Sequence, residues 1–213
     1  MNELARAYRY LLAHQSDFWA AVATHLRLSL TALAIALLLC VPLGIWAAKQ
    51  RRVAQPIINT ANALRVIPSL ALLFLALPYL GIGFNSSLVA LTVLACPPIL
   101  INTYAGFRSV DRAVVEAAFG MGMAASQVLR SIEVPLAMPV LIAGMRIAAV
   151  EVIASASLAA FIGGGGLGDF IQLGFALNEP RIMLVGTIPI ALLTLLADAL
   201  LARAQRAAAL PAI

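Results

Sequence analysis

Charge is costly inside apolar sequence, so the residues of this chain that could do chemistry in a membrane are few. Arg65 lies in one apolar stretch, and Arg146 and Glu151 lie in another. An ionised side chain in hydrocarbon must be paired, hydrated or neutralised. Two bases and one acid leave two readings. One is a structural ion pair, with the arginines able to reach the interface along their apolar stems. The other is a cavity in which Glu151 faces a cationic solute. Pro68, Ser69 and Ser155 stand beside these charges and complete the candidate pathway set.

A second group could move rather than react. Between residues 115 and 138, Glu116 opens a run of good helix formers, Gly120 and Gly122 interrupt it, Ser126 to Arg130 resumes it, and Pro135 is expected to stop it. That spells helix, bend, helix, in the one long interior stretch that water could claim. A third group, Gly163-Gly164-Gly165-Gly166-Leu167-Gly168-Asp169, could cradle a phosphate. It lacks the Gly-Lys-Ser/Thr ending and precedes no soluble strand–helix unit, so nucleotide binding is not expected. Its glycines would either form a flexible linker or let the backbone approach a partner or solute closely.

Cys40 and Cys96 sit in apolar runs, where a thiol acts as a small hydrophobe. His14 and His25 stand singly near a membrane edge and are expected to be solvated or hydrogen-bonded rather than ligands. No metal-ligand cluster, nucleophile–base pair or pair of carboxylates at useful spacing is visible. Catalytic and metal-binding residues are therefore not expected in this chain, which argues against an enzyme.

The elements that must position these residues are membrane helices. The 213 residues are 63% hydrophobic and 11% charged, with a mean hydropathy of +1.00, more apolar surface than a soluble core of this size could hide. The +5 formal charge is scattered, with one short cluster at Lys49, Arg51 and Arg52, so nucleic acid is not the expected partner. Residues 1–23 mix Arg, Tyr, Trp and His with Leu and Ala, as suits an interfacial helix with aromatic anchors rather than a cleaved signal. Apolar runs then cover about residues 26–48, 57–80, 87–107, 140–162 and 182–201, giving an all-α integral membrane protein of about five spans. Prolines inside the second and third runs are expected to kink packed helices.

Lys49, Arg51, Arg52, Arg108, Arg112, Arg130, Arg203 and Arg206 fall on one side of such a bundle, and Arg6, Arg9, Arg27 and Arg181 on the other. The positive-inside rule makes the first side cytoplasmic, together with the loop at 108–138 and a tail at 207–213, and puts the N-terminus and the glycine run outside. Counted at 1.5 Å per residue from the cytoplasmic ends, Arg65 and Arg146 would lie on the order of 12 Å deep and Glu151 on the order of 17 Å.

The set Glu116, Ala117, Ala118, Gly122, Ile132 and Pro135 resembles the EAA loop of ABC-importer membrane subunits, with Val134 where that pattern usually has Leu. The resemblance implies a cytoplasmic coupling helix that docks on an ATPase. A narrower likeness runs through Arg65-Val-Ile-Pro-Ser-Leu-Ala-Leu-Leu72, Pro78, Gly81-Ile-Gly83, Asn102-Thr-Tyr104, Val110-Asp111, Gly120-Met-Gly122 and Leu158-Ala-Ala-Phe-Ile162. Over about residues 25–205 the chain is similar to the osmoprotectant (glycine betaine/carnitine/choline) importer permeases. Methionine-importer permeases share the Glu116 loop and the glycine run but fit residues 65–72 less well.

What this likeness implies is a type I ABC importer (MetI-like) permease fold in a bacterial cytoplasmic membrane, with a transmembrane domain over 24–206. It also implies a second permease subunit, identical or paralogous, two ATP-binding cassette ATPase subunits and an external solute-binding protein. ATP and magnesium would reside on the ATPase, leaving no cofactor in this chain. A permease for another small solute, such as an amino acid of the methionine type, and a membrane scaffold without transport are the alternatives.

Overall fold

The computed structural model describes residues 3–209, and among them every regular element is helical. Of the tail expected at 207–213, residues 210–213 lie outside the described part, as do residues 1 and 2. Helix α1 (Glu3–Ala13) ends at His14, whose ring stacks on Tyr10 and whose Nδ1 lies 3.0 Å from the Tyr10 carbonyl oxygen. Helix α2 (Gln15–Lys49) then runs for 35 residues. The boundary thus falls at 14 rather than near 23, because no Gly or Pro between Gln15 and Leu26 interrupts the helix. At 1.5 Å per residue α2 is about 50 Å long, so it tilts in, or projects beyond, hydrocarbon roughly 30 Å thick.

The expected second span is not one straight or gently kinked helix. Helix α3 (Arg51–Leu64) and helix α4 (Ser69–Leu80) meet at 98° across the corner 65–68. Pro68 explains the corner: it disfavours helical geometry at Ile67 and lacks the N–H that would extend α3. Its carbonyl instead starts α4 by accepting from Leu72 N at 3.1 Å. The depth reckoned for Arg65 along a straight span therefore does not hold; the residue sits at a helix break.

Helix α5 (Phe84–Ser109) is the central post, packed against α2 and α4. One side of α2 carries Leu28, Ala32, Ala36, Cys40, Gly44 and Ala47, all buried at helical spacing. Between helices in lipid, small residues let backbones approach and gain dispersion contact where burial from water supplies little. This stripe meets Leu91, Ala95 and Ile99 of α5 in the main core.

The loop expected as helix, bend, helix forms α6 (Arg112–Gly120), a turn, and the short α7 (Ala125–Val128). Gly122 makes the turn at φ +85°: Met123 N bonds the Ala118 carbonyl and Gly122 N bonds that of Phe119, the Schellman pattern that closes a helix through a left-handed residue. Pro135 does not stop the helical path. A π-helical turn (Leu129–Glu133) passes into α8 (Val134–Ser155), and Pro135 occupies the first turn of α8, where a missing N–H costs little. The wider turn is the reason, since Val134 N reaches back to Leu129 and the chain enters α8 without an α-type bond from Pro135.

A 3₁₀ segment (Ala156–Ile162), the glycine run, α9 (Gly168–Ala176) and α10 (Pro180–Ala208) complete the described chain. Among the described residues, four helical runs are long and apolar enough to cross a membrane, and the bent α3–α4 pair makes up to five.

The glycine run is packed into its own chain. A Cβ on Gly164 would overlap Ser87, and one on Gly168 would overlap the Ser157 carbonyl, while Gly166 lies against the backbone of His25. The close approach that glycine permits is made here between elements of one subunit, and the loose-linker reading does not survive. Gly168→Ala should lower stability by about 1–3 kcal/mol, the usual cost of overpacking a filled site. Thermal unfolding in detergent of Gly168→Ala beside Gly120→Ala, where the added methyl meets nothing, checks this; equal losses would contradict it.

Candidate functional site

Three charged residues singled out by sequence come together in one cavity of about 660 Å³. It is lined by Arg65 from the α3–α4 corner, Arg146, Ile147, Val150 and Glu151 from α8, and Asp198 and Gln205 from α10. Pro68, Ser69 and Ser155 are not in this lining. The pairing differs from the one the sequence offered. Arg146 forms a two-pronged ion pair with Asp198, Nε donating to Oδ1 and Nη2 to Oδ2, the latter at 2.8 Å. Planar guanidinium matched to carboxylate is the strong geometry for such a pair.

Glu151 has no hydrogen bond or ion pair among the described residues, and Arg65 acts on it only through space. One base and one acid in the cavity thus satisfy each other, and one acid and one base stay open. Asp198 was legible as an acid within the run 182–201, as improbable in hydrocarbon as Glu151. A count of bases and acids over all the spans would have found it.

The loop from α6 to α8 forms a second feature. Asp111 caps α6, accepting from Ala113 N at 2.9 Å. Glu116 lines a smaller cavity, of about 330 Å³, with Lys49, Arg108, Arg112 and Glu133. Ala118 is buried against the chain, whereas Ala117, Gly120 and Gly122 are exposed, as are Phe119 at 49% and Met121 at 76%. Ile132 is half-buried and Pro135 exposed. Both oxygens of the Glu133 carboxylate accept from Lys49 Nζ, a long-range pair that the sequence reading passed over.

At the other end of the molecule the buried His25 holds its Nε2 3.0 Å from the Ile153 carbonyl oxygen, fastening α2 to α8 as a hydrogen-bonded histidine should. Partial burial pushes the Asp169 carboxyl above the usual carboxylate range, and the Gly166 backbone hydrogen bond offsets part of that rise.

Residues 40–209 match the family described as binding-protein-dependent transport system inner membrane component. This chain belongs to that family. As a member it is a multi-pass inner-membrane component of a transport system.

The relatives include the choline transport system permease protein OpuBB of Bacillus subtilis, 40% identical over 182 residues, which are 85% of this chain and 84% of the relative. The carnitine transport permease protein OpuCD of Listeria monocytogenes is 41% identical over 191 residues, 89% of this chain and 84% of the relative. The osmoprotectant import permease protein OsmY of Salmonella typhimurium is 38% identical over 194 residues, 90% and 82% of the two chains. A chain of the MetNI methionine ABC transporter, solved in inward-facing conformations, superposes with a TM-score of 0.81 at 20% identity, covering 92% of this chain and 98% of that one. That likeness establishes the all-α, MetI-like permease fold of this family member.

Proposed function

We propose that this chain is the permease subunit of an ATP-driven importer and forms half of a pathway for a small quaternary-ammonium osmoprotectant of the glycine betaine, choline or carnitine type. The observation that carries the solute class is the 40–41% identity, over most of both chains, to permeases for choline and carnitine. The methionine likeness is one of fold and favours no amino-acid substrate.

In this reading two ATPase subunits hold ATP and magnesium and dock on the exposed face around Phe119 and Met121. A second permease subunit, identical or paralogous, completes the pathway, and an external solute-binding protein delivers the solute. Closure of the ATPases, felt through residues 112–135, swings the membrane helices between inward- and outward-facing states. The open charges of Arg65 and Glu151 line the solute's route.

Purified with its ATPase and binding protein in vesicles, the complex should take up labelled glycine betaine, choline or carnitine in an ATP-dependent way. Methionine uptake alone would refute the solute class. Absence of an ATPase partner, or turnover by the isolated chain, would refute the importer reading.

The reading also fixes sidedness, with the loop bearing Ser126 cytoplasmic and the loop after α9 outside. A cysteine at Gly165 would be a poor probe because that residue has φ +74°. Leu177, 57% exposed at the end of α9, replaces it. In a background free of Cys40 and Cys96, Leu177→Cys should react with an impermeant thiol reagent from outside and Ser126→Cys only after the membrane is opened. The reverse pattern would overturn the orientation.

A further inference from the structure

We propose that the Lys49–Glu133 pair is a rigid tie that carries motion of the coupling loop into α2, a second route beside the loop's covalent continuity with α8. The inference rests on the reading of residues 112–135 as the coupling loop and assigns positioning roles to two residues outside its motif. Lys49 is the last residue of α2 and Glu133 the last of the π-helical turn, 84 positions apart in sequence. The Glu133 side chain is 9% exposed, against 48% for Lys49, and both carboxylate oxygens accept from the same ammonium.

An ion pair with one half-exposed partner adds little to stability alone, but the buried Glu133 carboxylate holds the Lys49 ammonium in one position. Position is what this place lacks. Helix α7 has only four residues, and it leads into a five-residue π-helical turn, a geometry found mostly as single-turn bulges, frequently at functional sites. A push on α6 and α7 would be absorbed in that turn unless something braced it.

Lys49 supplies the brace, and it stands on the end of the helix whose small-residue stripe packs on α5 and α8. A displaced Glu133 therefore drags the end of α2 and shifts that packed wall. Arg108, Arg112 and Glu116 share the cavity. Either arginine could take over the carboxylate if Lys49 alone were lost, so the informative variant neutralises both partners.

In the full complex with its ATPase and binding protein, Lys49→Gln/Glu133→Gln should insert normally, keep the ATPase bound and hydrolyse ATP. Solute imported per ATP should fall about fivefold or more, the lower end of ordinary site-to-site coupling. Lys49→Cys/Glu133→Cys, in a background free of Cys40 and Cys96, gives an independent readout. Joined by a short bifunctional thiosulfonate it should import close to normally, and reduction of the link should drop it to the level of the double glutamine variant.

Unchanged import per ATP in the double glutamine variant would show a merely structural pair and overturn the tie. Block by the crosslink with recovery on reduction would overturn it too, because the pair would then have to open in each cycle. If the unmodified complex showed no ATP-driven uptake, the importer reading would fall and the tie with it.

Discussion

Glu116→Lys and Gly122→Val should each cut transport about tenfold or more while leaving insertion and folded yield intact, a loss equivalent to roughly 1.4 kcal/mol of coupling free energy. The two act by different physics. Gly122 has φ +85° and open space around its missing Cβ. A side chain there meets no neighbour, and the cost lies in the backbone, about 1–2 kcal/mol for a left-handed residue and most severe for a β-branched one. The Schellman turn that ends α6 would open, and the angle between α6 and α7 would be lost.

Glu116 is exposed, so its replacement does not disturb a core. It shares its cavity with Lys49, Arg108 and Arg112, and a lysine would leave Glu133 as the one acid among four bases. Glu116→Gln should fall between wild type and Glu116→Lys, which separates loss of attraction from added repulsion. Uptake in vesicles, measured beside copurification of the ATPase, decides the matter. Normal transport by both variants with the ATPase bound would mean that this loop does not couple.

The sequence disclosed most where one residue acts through its own backbone or hydropathy. Gly122 announces a left-handed turn because other residues resist one, and the apolar runs announce membrane helices because hydrocarbon satisfies no backbone group from outside. It disclosed less where two distant residues decide. The run 57–80 has the hydropathy of a single span, and the 98° corner within it hangs on Arg65-Val-Ile-Pro68, a signal equally compatible with a kink.

Arg146 had Glu151 five residues away as a visible partner. The true one, Asp198, arrives on α10 from 52 positions down the chain. Lys49 and Glu133 are farther apart still. Periodicity says which face a residue takes on its own helix, but a long-range pair depends on how helices are set against one another. The glycine run shows the same limit, because its demand for space is made by Ser87, His25 and Ser157, none of them its neighbour in sequence.

The Arg146–Asp198 pair changes what Glu151→Gln should do. With Arg146 occupied, the carboxylate of Glu151 is left with Arg65 at a distance and with the cavity itself. Its side chain is exposed to that cavity, so water can hydrate it and the folded state does not depend on a partner for it. Folded yield of Glu151→Gln should therefore be normal. Arg146→Gln should lower yield only slightly, because the unpaired Asp198, 34% exposed on the same cavity, can be hydrated as Glu151 is.

Uptake is where Glu151→Gln should register. A quaternary ammonium has no N–H to donate and is held by charge and by aromatic faces. The cavity lining carries no aromatic side chain, which leaves charge to act. Losing the carboxylate should weaken uptake roughly five- to tenfold, or about 1–1.4 kcal/mol. Choline should suffer more than glycine betaine, whose own carboxylate can still face Arg65. Poor yield rescued by adding Arg65→Gln would assign Glu151 to a structural pair with Arg65 instead. Normal yield together with normal uptake would remove Glu151 from both roles.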